Sequence, residues 1–139
     1  MSKTTEQNKQ VVIRFNKECI EAGRKESFEE LLSEQVINHS ARPGMPNGRE
    51  SFYFFLIEVL RKGLSGLCVE IMDQVAEGDR VCTRKKIRGR HTGELLGIPP
   101  SNKEVEIVVI DIIRLENGRY VEHWGQSNFD EVLKQLSSD

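Results

Sequence analysis

Between Lys103 and Trp124 the chain reads KEVEIVVIDIIRLENGRYVEHW, two runs that join at Asn117-Gly118. That dipeptide is the strongest short-range signal for a two-residue hairpin. Side chains alternate faces along a strand, so Val105, Ile107, Val109, Asp111, Ile113 and Leu115 share one face. Five of the six are apolar and the exception is a carboxylate. Removing an ionised carboxylate from water is costly, so such a group finds a partner or shifts its pKa upward. The pattern therefore singles out Asp111. A type I′ turn at Asn117-Gly118 pairs Glu116 with Arg119, and counting back sets Leu115 opposite Tyr120, Ile113 opposite Glu122 and Asp111 opposite Trp124. A three-residue loop with a glycine bulge sets Asp111 opposite His123 instead. The first register is preferred, because Asn-Gly suits both positive-φ positions.

Elsewhere the apolar positions recur at helical spacing. Val11, Val12, Phe15, Cys19 and Ile20 predict a helix from about Thr5 to Ala22, ended by Gly23. Ser27 and Glu30 fit a capping box that opens a second helix carrying Phe28, Leu31 and Leu32. Residues Val36 to His39 suit a short strand before a Pro/Gly-rich loop. Phe52, Phe55, Leu56, Val59 and Leu60 predict a third helix from about Arg49 to Lys62. Strands are expected over Leu67–Ala76 and Arg80–Arg90, around a turn at Glu77-Gly78-Asp79. Phe129, Val132, Leu133 and Leu136 close the chain as a short helix, with Asn128 as its N-cap. Helices first and antiparallel strands afterwards make an α+β pattern. The far face of the central strand carries Val108, Ile110 and Ile112, where a solvated face would be polar, so a second copy of the chain is expected to cover it through the sheet.

A length of 139 residues predicts a single domain, 1–139. A net charge of −2 gives no basic face for nucleic acid, so no nucleic-acid partner is expected. No apolar run approaches a membrane span, and MSKTTEQNKQ lacks the apolar core of a signal peptide. Cys19, Cys68 and Cys82 are odd in number and lack ligand spacing, which reads as reduced thiols and a cytoplasmic location. His39, His91 and His123 are scattered without zinc spacings, and no glycine-rich phosphate loop is present, so neither metal nor cofactor is expected.

What remains is acid–base chemistry around Asp111 in a pocket between helices and sheet. His39, at a helix-to-loop junction, either points into that pocket or caps a turn. His91 lies at a strand end, as a substrate contact or a surface group. Trp124 is expected as a pocket wall. Glu122 is a candidate second carboxylate near Asp111. Arg84 either neutralises a carboxylate or an anionic substrate, or stays solvated. His123 faces Asp111 in the second register.

Several short motifs occur together and in order: Glu77-Gly78-Asp79-Arg80-Val81, Arg84, Gly89 with His91-Thr92-Gly93-Glu94, Gly97-Ile98-Pro99-Pro100, Asp111-Ile112 with Arg114, Gly118-Arg119 and Glu122-His123-Trp124. This set resembles the SnoaL-like polyketide cyclase family, from about His39 to the C-terminal helix. The resemblance implies the cone-shaped nuclear transport factor 2-like fold, with three N-terminal helices on a curved antiparallel sheet that encloses a pocket. It also implies a cofactor-independent, intramolecular aldol ring closure on a hydrophobic small molecule. Asp111 corresponds to the family's acid/base, and His39 and Trp124 match pocket positions. A donor such as His39, the second catalytic candidate, or Trp124 is expected to steady the enolate oxygen. More loosely, Ile110 to Arg114 and Trp124 to Asn128 are similar to ketosteroid isomerases of that superfamily, where the matching Trp lines the steroid pocket. Two places depart from the family: Ser101-Asn102 stands for Thr-Gly, and Gly63 to Leu67 for a Phe-Pro-Asp-like segment. The alternative functions are a non-catalytic small-molecule-binding module, or an isomerase or hydrolase of the same superfamily.

Overall fold

The computed structural model describes residues 3–137. The apolar stripe of the N-terminal segment forms α1 (Lys3–Arg14), which widens into a π-helical stretch, Phe15–Glu21. α2 (Lys25–Leu31) follows and passes directly into β1 (Leu32–Asn38). α3 (Arg49–Tyr53) likewise continues as a π-helical stretch, Phe54–Arg61. Then come β2 (Leu64–Glu77), β3 (Arg80–His91), β4 (Glu104–Glu116), β5 (Arg119–Ser127) and α4 (Phe129–Ser137).

Five strands form one sheet in the order β1-β5-β4-β3-β2. β2 to β5 are antiparallel, and β1 adds to β5 in parallel at the edge. The expected α+β class holds, and the sheet curves around one apolar core. Val105, Ile107, Ile113 and Leu115 face that core from β4, and Val12, Phe15, Phe28, Leu56 and Leu60 meet them from the helices. Phe15 stacks on Tyr120 of β5 with ring centroids 4.5 Å apart, which fastens the π-helical stretch after α1 to the sheet. Among the described residues, no helix is long and apolar enough to cross a membrane.

Local expectations failed at three points. Ser27 lies inside α2 rather than capping it, and its hydroxyl donates to Glu18 Oε1 at 2.7 Å, joining α2 to the helix before it. Asn128 does not cap α4 with its side chain; Oδ1 instead accepts the Val108 N–H of β4 at 2.8 Å. The hairpin turn forms as expected, with Asn117 and Gly118 at φ 53° and 76° and Glu116 opposite Arg119. Beyond Leu115 opposite Tyr120, however, Val121 is inserted as a β-bulge. Arg114 then faces Glu122, Ile113 faces His123, Ile112 faces Trp124 and Asp111 faces Gly125. One extra residue swaps the faces of everything after it. Neither expected register survives, and the side chain that joins Asp111 on the inner face is His123.

The loop that departs from the family at Ser101-Asn102 follows the same local logic. Asn102 takes φ 60°, a left-handed position that glycine fills most readily and asparagine tolerates.

Candidate active site

Between the helices and the concave face of the sheet lies a cavity of about 510 Å³. Phe52, Phe55, Leu56, Val59 and Phe129 supply much of its wall, and Lys85, Asp111, Tyr120 and His123 bring polar groups to it. Pro43, Met45, Phe54 and Leu96 also line it, and Met45, Phe54 and Leu96 are solvent-exposed, as residues at an opening would be. An apolar cavity with a few converging polar groups is the usual form of a small-molecule site.

β3 places Val81, Thr83, Lys85 and Ile87 on the inner face, and its register sets Thr83 directly opposite Asp111. Lys85 is thus the diagonal neighbour of Asp111 on that face. Both are almost fully buried, at 4% and 5% exposure, and Nζ lies 3.3 Å from Asp111 Oδ2. Nζ also donates to Asn16 Oδ1 at 2.7 Å. Asn16 sits in the π-helical stretch after α1, and its Nδ2 donates to the Val12 carbonyl at 2.8 Å, which fixes the amide so that its oxygen meets the lysine. The wider helical turn at this point is a feature often found at functional positions.

From the other side, His123 Nε2 approaches Asp111 Oδ2 at 3.5 Å. Its Nδ1 lies 2.9 Å from Asn38 Oδ1, which also accepts the Ser40 N–H. Asn38 Nδ2 donates to Ser51 Oγ at 3.2 Å. Those bonds orient the Asn38 amide with its oxygen toward Nδ1, which donates to it, and Nε2 faces Asp111 Oδ2. Gly125, opposite Asp111, keeps this approach open: a Cβ there would come within 3.0 Å of the imidazole. Asp111 Oδ1, by contrast, has no hydrogen-bond partner among the described residues.

Burial pushes the Asp111 carboxyl up, but the Lys85 charge and His123 outweigh it and hold the group below its ordinary value of 3.8. Of the two outcomes open to a carboxylate in an apolar row, Asp111 shows the first: it has found partners, and its pKa is held down rather than raised. It is a buried carboxylate with one oxygen held by side chains and the other unpartnered.

The remaining expected site residues lie elsewhere. His39 is exposed, stacks on Trp124 at 4.8 Å between ring centroids, and bonds Glu122 at 2.9 Å; none of the three lines the cavity. The bulge at Val121 is the reason for Trp124 and Glu122, since it turns both away from the Asp111 face. Glu122 instead accepts from Arg114 and His39, and these bonds lower its pKa. Arg84 is on the outer face in a two-pronged bond to Asp73. His91 is fully buried under the 92–102 loop, with Nδ1 bonded to Ser101, and does not line the cavity. Of the expected residues the structure brings together Asp111 and His123, and it adds Lys85 and Asn16. Lys85 stands in a β3 row with Val81 and Ile87, which is the signal that could have found it.

Acid should reveal the paired carboxylates. Glu18 is pulled from 4.5 to about 2 by hydrogen bonds from Arg14 and Ser27, and Asp111 is lowered as described. A carboxyl whose folded pKa is depressed contributes stability above its unfolded pKa and loses it as pH falls through the folded value. The melting temperature is thus expected to decline progressively below a pH of about 4.5. The double variant Lys85→Met/Asp111→Asn, followed by thermal melts across that range, should show a shallower decline.

The SnoaL-like polyketide cyclase family model matches residues 10–136. No curated protein matches the chain in sequence. Among solved structures, a candidate SnoaL-like polyketide cyclase from Jannaschia sp. CCS1 is 26% identical with a TM-score of 0.85, over 100% of this chain and 97% of that one. IdmH, a candidate polyketide cyclase from Streptomyces antibioticus, is 28% identical with a TM-score of 0.77, over 95% and 99%. An epoxide hydrolase from M. tuberculosis, LEH-like, is 14% identical with a TM-score of 0.70 over 95% and 90%, a likeness of fold alone. With the match spanning nearly all of its length and the cone-shaped fold shared, the chain belongs to the SnoaL-like polyketide cyclase family.

Proposed function

We propose that the protein is a cofactor-independent cyclase that closes a ring in a hydrophobic carbonyl compound by an intramolecular aldol reaction. The observation that carries this reading is the unpartnered Oδ1 of a buried, ionised Asp111 lining an apolar cavity. In the reaction, Oδ1 takes a proton from the carbon next to a carbonyl, and the C–H electron pair becomes an enolate. The enolate carbon attacks a second carbonyl of the same molecule, a C–C bond forms, and the C=O π pair moves onto oxygen. The alkoxide takes the proton back from Asp111, which returns to the carboxylate. His123 holds Oδ2 and fixes the orientation of the carboxylate. His39 and Trp124, outside the cavity, have no part in this step.

The face away from the cavity supports a second reading, a homodimer formed through the sheet. Val75, Cys82, Ile112 and Trp124 lie opposite one another across four strands and form an apolar stripe on the outer surface. Val108, Ile110 and Ile112 are 37%, 48% and 39% exposed there. In this reading Trp124 contributes to subunit contact, stacked between His39 and the Arg80 guanidinium, which lies 5.3 Å from its ring.

Asp111→Asn keeps size and packing and removes the proton acceptor. Turnover of a cyclisable substrate found by screening aromatic polyketide-like and steroid-like compounds should fall about 100- to 10,000-fold. The melting temperature of Asp111→Asn is expected to fall in any case, because Lys85 loses its counter-charge. Full turnover in that variant would make Asp111 scaffold, and ligand binding without any turnover would leave a binding module. For the assembly, sedimentation at micromolar concentration is expected to give a dimer that Ile110→Lys dissociates. A monomeric wild-type protein would remove that idea.

A further inference from the structure

Lys85 does more than balance a charge. Among the described residues Nζ has two acceptors, Asn16 Oδ1 and Asp111 Oδ2, for its three protons. The lysine also lines the cavity beside the carboxylate, on the same face of the sheet. An Asp111 carboxylate that holds protons weakly is a modest base, so the carbon acid it serves must itself be made more acidic. The most direct way is a donor placed where negative charge develops, on the enolate oxygen. Asn16 holds Nζ in place for that task, because its own amide is anchored to the Val12 carbonyl.

Resting on the proposed aldol reading, we propose that Lys85 is a catalytic residue whose Nζ donates its remaining proton to the carbonyl oxygen next to the carbon that Asp111 deprotonates. Covalent geometry permits it. The two oxygens of a carboxylate are ~2.2 Å apart, and a carbonyl oxygen is ~2.4 Å from the adjacent carbon. A C–H presented to Oδ1 can place its carbonyl oxygen within hydrogen-bond reach of Nζ, which lies 3.3 Å from Oδ2. With Asn16 Oδ1 and Asp111 Oδ2 as its acceptors, Nζ meets the cavity as a hydrogen-bond donor. The substrate thus carries a carbonyl whose enolate lies deep in the cavity, with its apolar body against Phe52, Phe55 and Phe129.

A hydroxyarene tests this without knowledge of the substrate. 2-Naphthol is flat and apolar, its anion carries charge as an enolate does, and the acid and anion fluoresce differently. Lys85→Met alone would strand the Asp111 carboxylate, and Asp111→Asn leaves Lys85 without its counter-charge, so the comparison uses Asp111→Asn against Lys85→Met/Asp111→Asn, with the folding of both checked by thermal melts. In Asp111→Asn, bound 2-naphthol is expected to ionise at least about one pH unit lower than in the double variant. Equal ionisation in the two variants, or failure of either to bind 2-naphthol, would overturn the assignment of Lys85. The aldol reading fails separately, on unchanged turnover by Asp111→Asn, and that result would remove the reaction in which Lys85 is placed.

Discussion

A lysine and an aspartate buried 3.3 Å apart inside an apolar core are the constraint on which the rest of this fold depends. Either charge alone would be strongly disfavoured there, and the attraction between them offsets desolvation only when geometry is good and the remaining hydrogen-bonding capacity is met. The surrounding elements meet part of it from both ends, leaving Asp111 Oδ1 without a partner among the described residues. On one side the π-helical stretch presents Asn16 to Lys85. On the other, the last residue of β1 presents Asn38 to His123, which in turn faces Asp111. A polar chain thus runs from the Val12 carbonyl of α1 through residues of four strands, Lys85, Asp111, His123 and Asn38, to the Ser40 and Ser51 region.

The same arrangement explains why distortions of regular structure gather here. A π-helical turn brings Asn16 inward, a bulge at Val121 turns His123 inward, and Gly125 leaves room for its ring. Regular helix and strand geometry would have placed other side chains at these points. The chain departs from ideal backbone where these polar groups converge, and it does so also in the π-helical stretch Phe54–Arg61 and at two irregularities of β2.

Much of this was legible in the sequence because it rests on alternation. The six-residue row of β4 marked its own face and its single carboxylate, and Asn117-Gly118 marked the turn. The outer row of Val108, Ile110 and Ile112 was equally plain and is exposed as expected. The bulge was not legible, since Val121 carries no turn or glycine signal, and so Trp124 and Glu122 were assigned to the wrong face. His39 followed Trp124 outward, as its stacking partner. Lys85 was missed because Lys and Arg occupy successive positions from Arg84 to Lys86, and a basic run on a strand ordinarily belongs to solvent. Its neighbours Val81 and Ile87, at even spacing, carried the opposite message. His91, at a strand end, is neither the substrate contact nor the surface group that its position allowed, because the 92–102 loop folds over it.

The most direct test of this account is the titration of Asp111 itself, by the carboxyl carbon resonance of protein labelled at aspartate. The account expects Asp111 to remain ionised from neutral pH down through its ordinary value of 3.8, held there by Lys85 and His123. A carboxyl that takes up its proton well above that value would contradict it, because the group would then rest as an acid and the paired geometry would not be the one that governs the site.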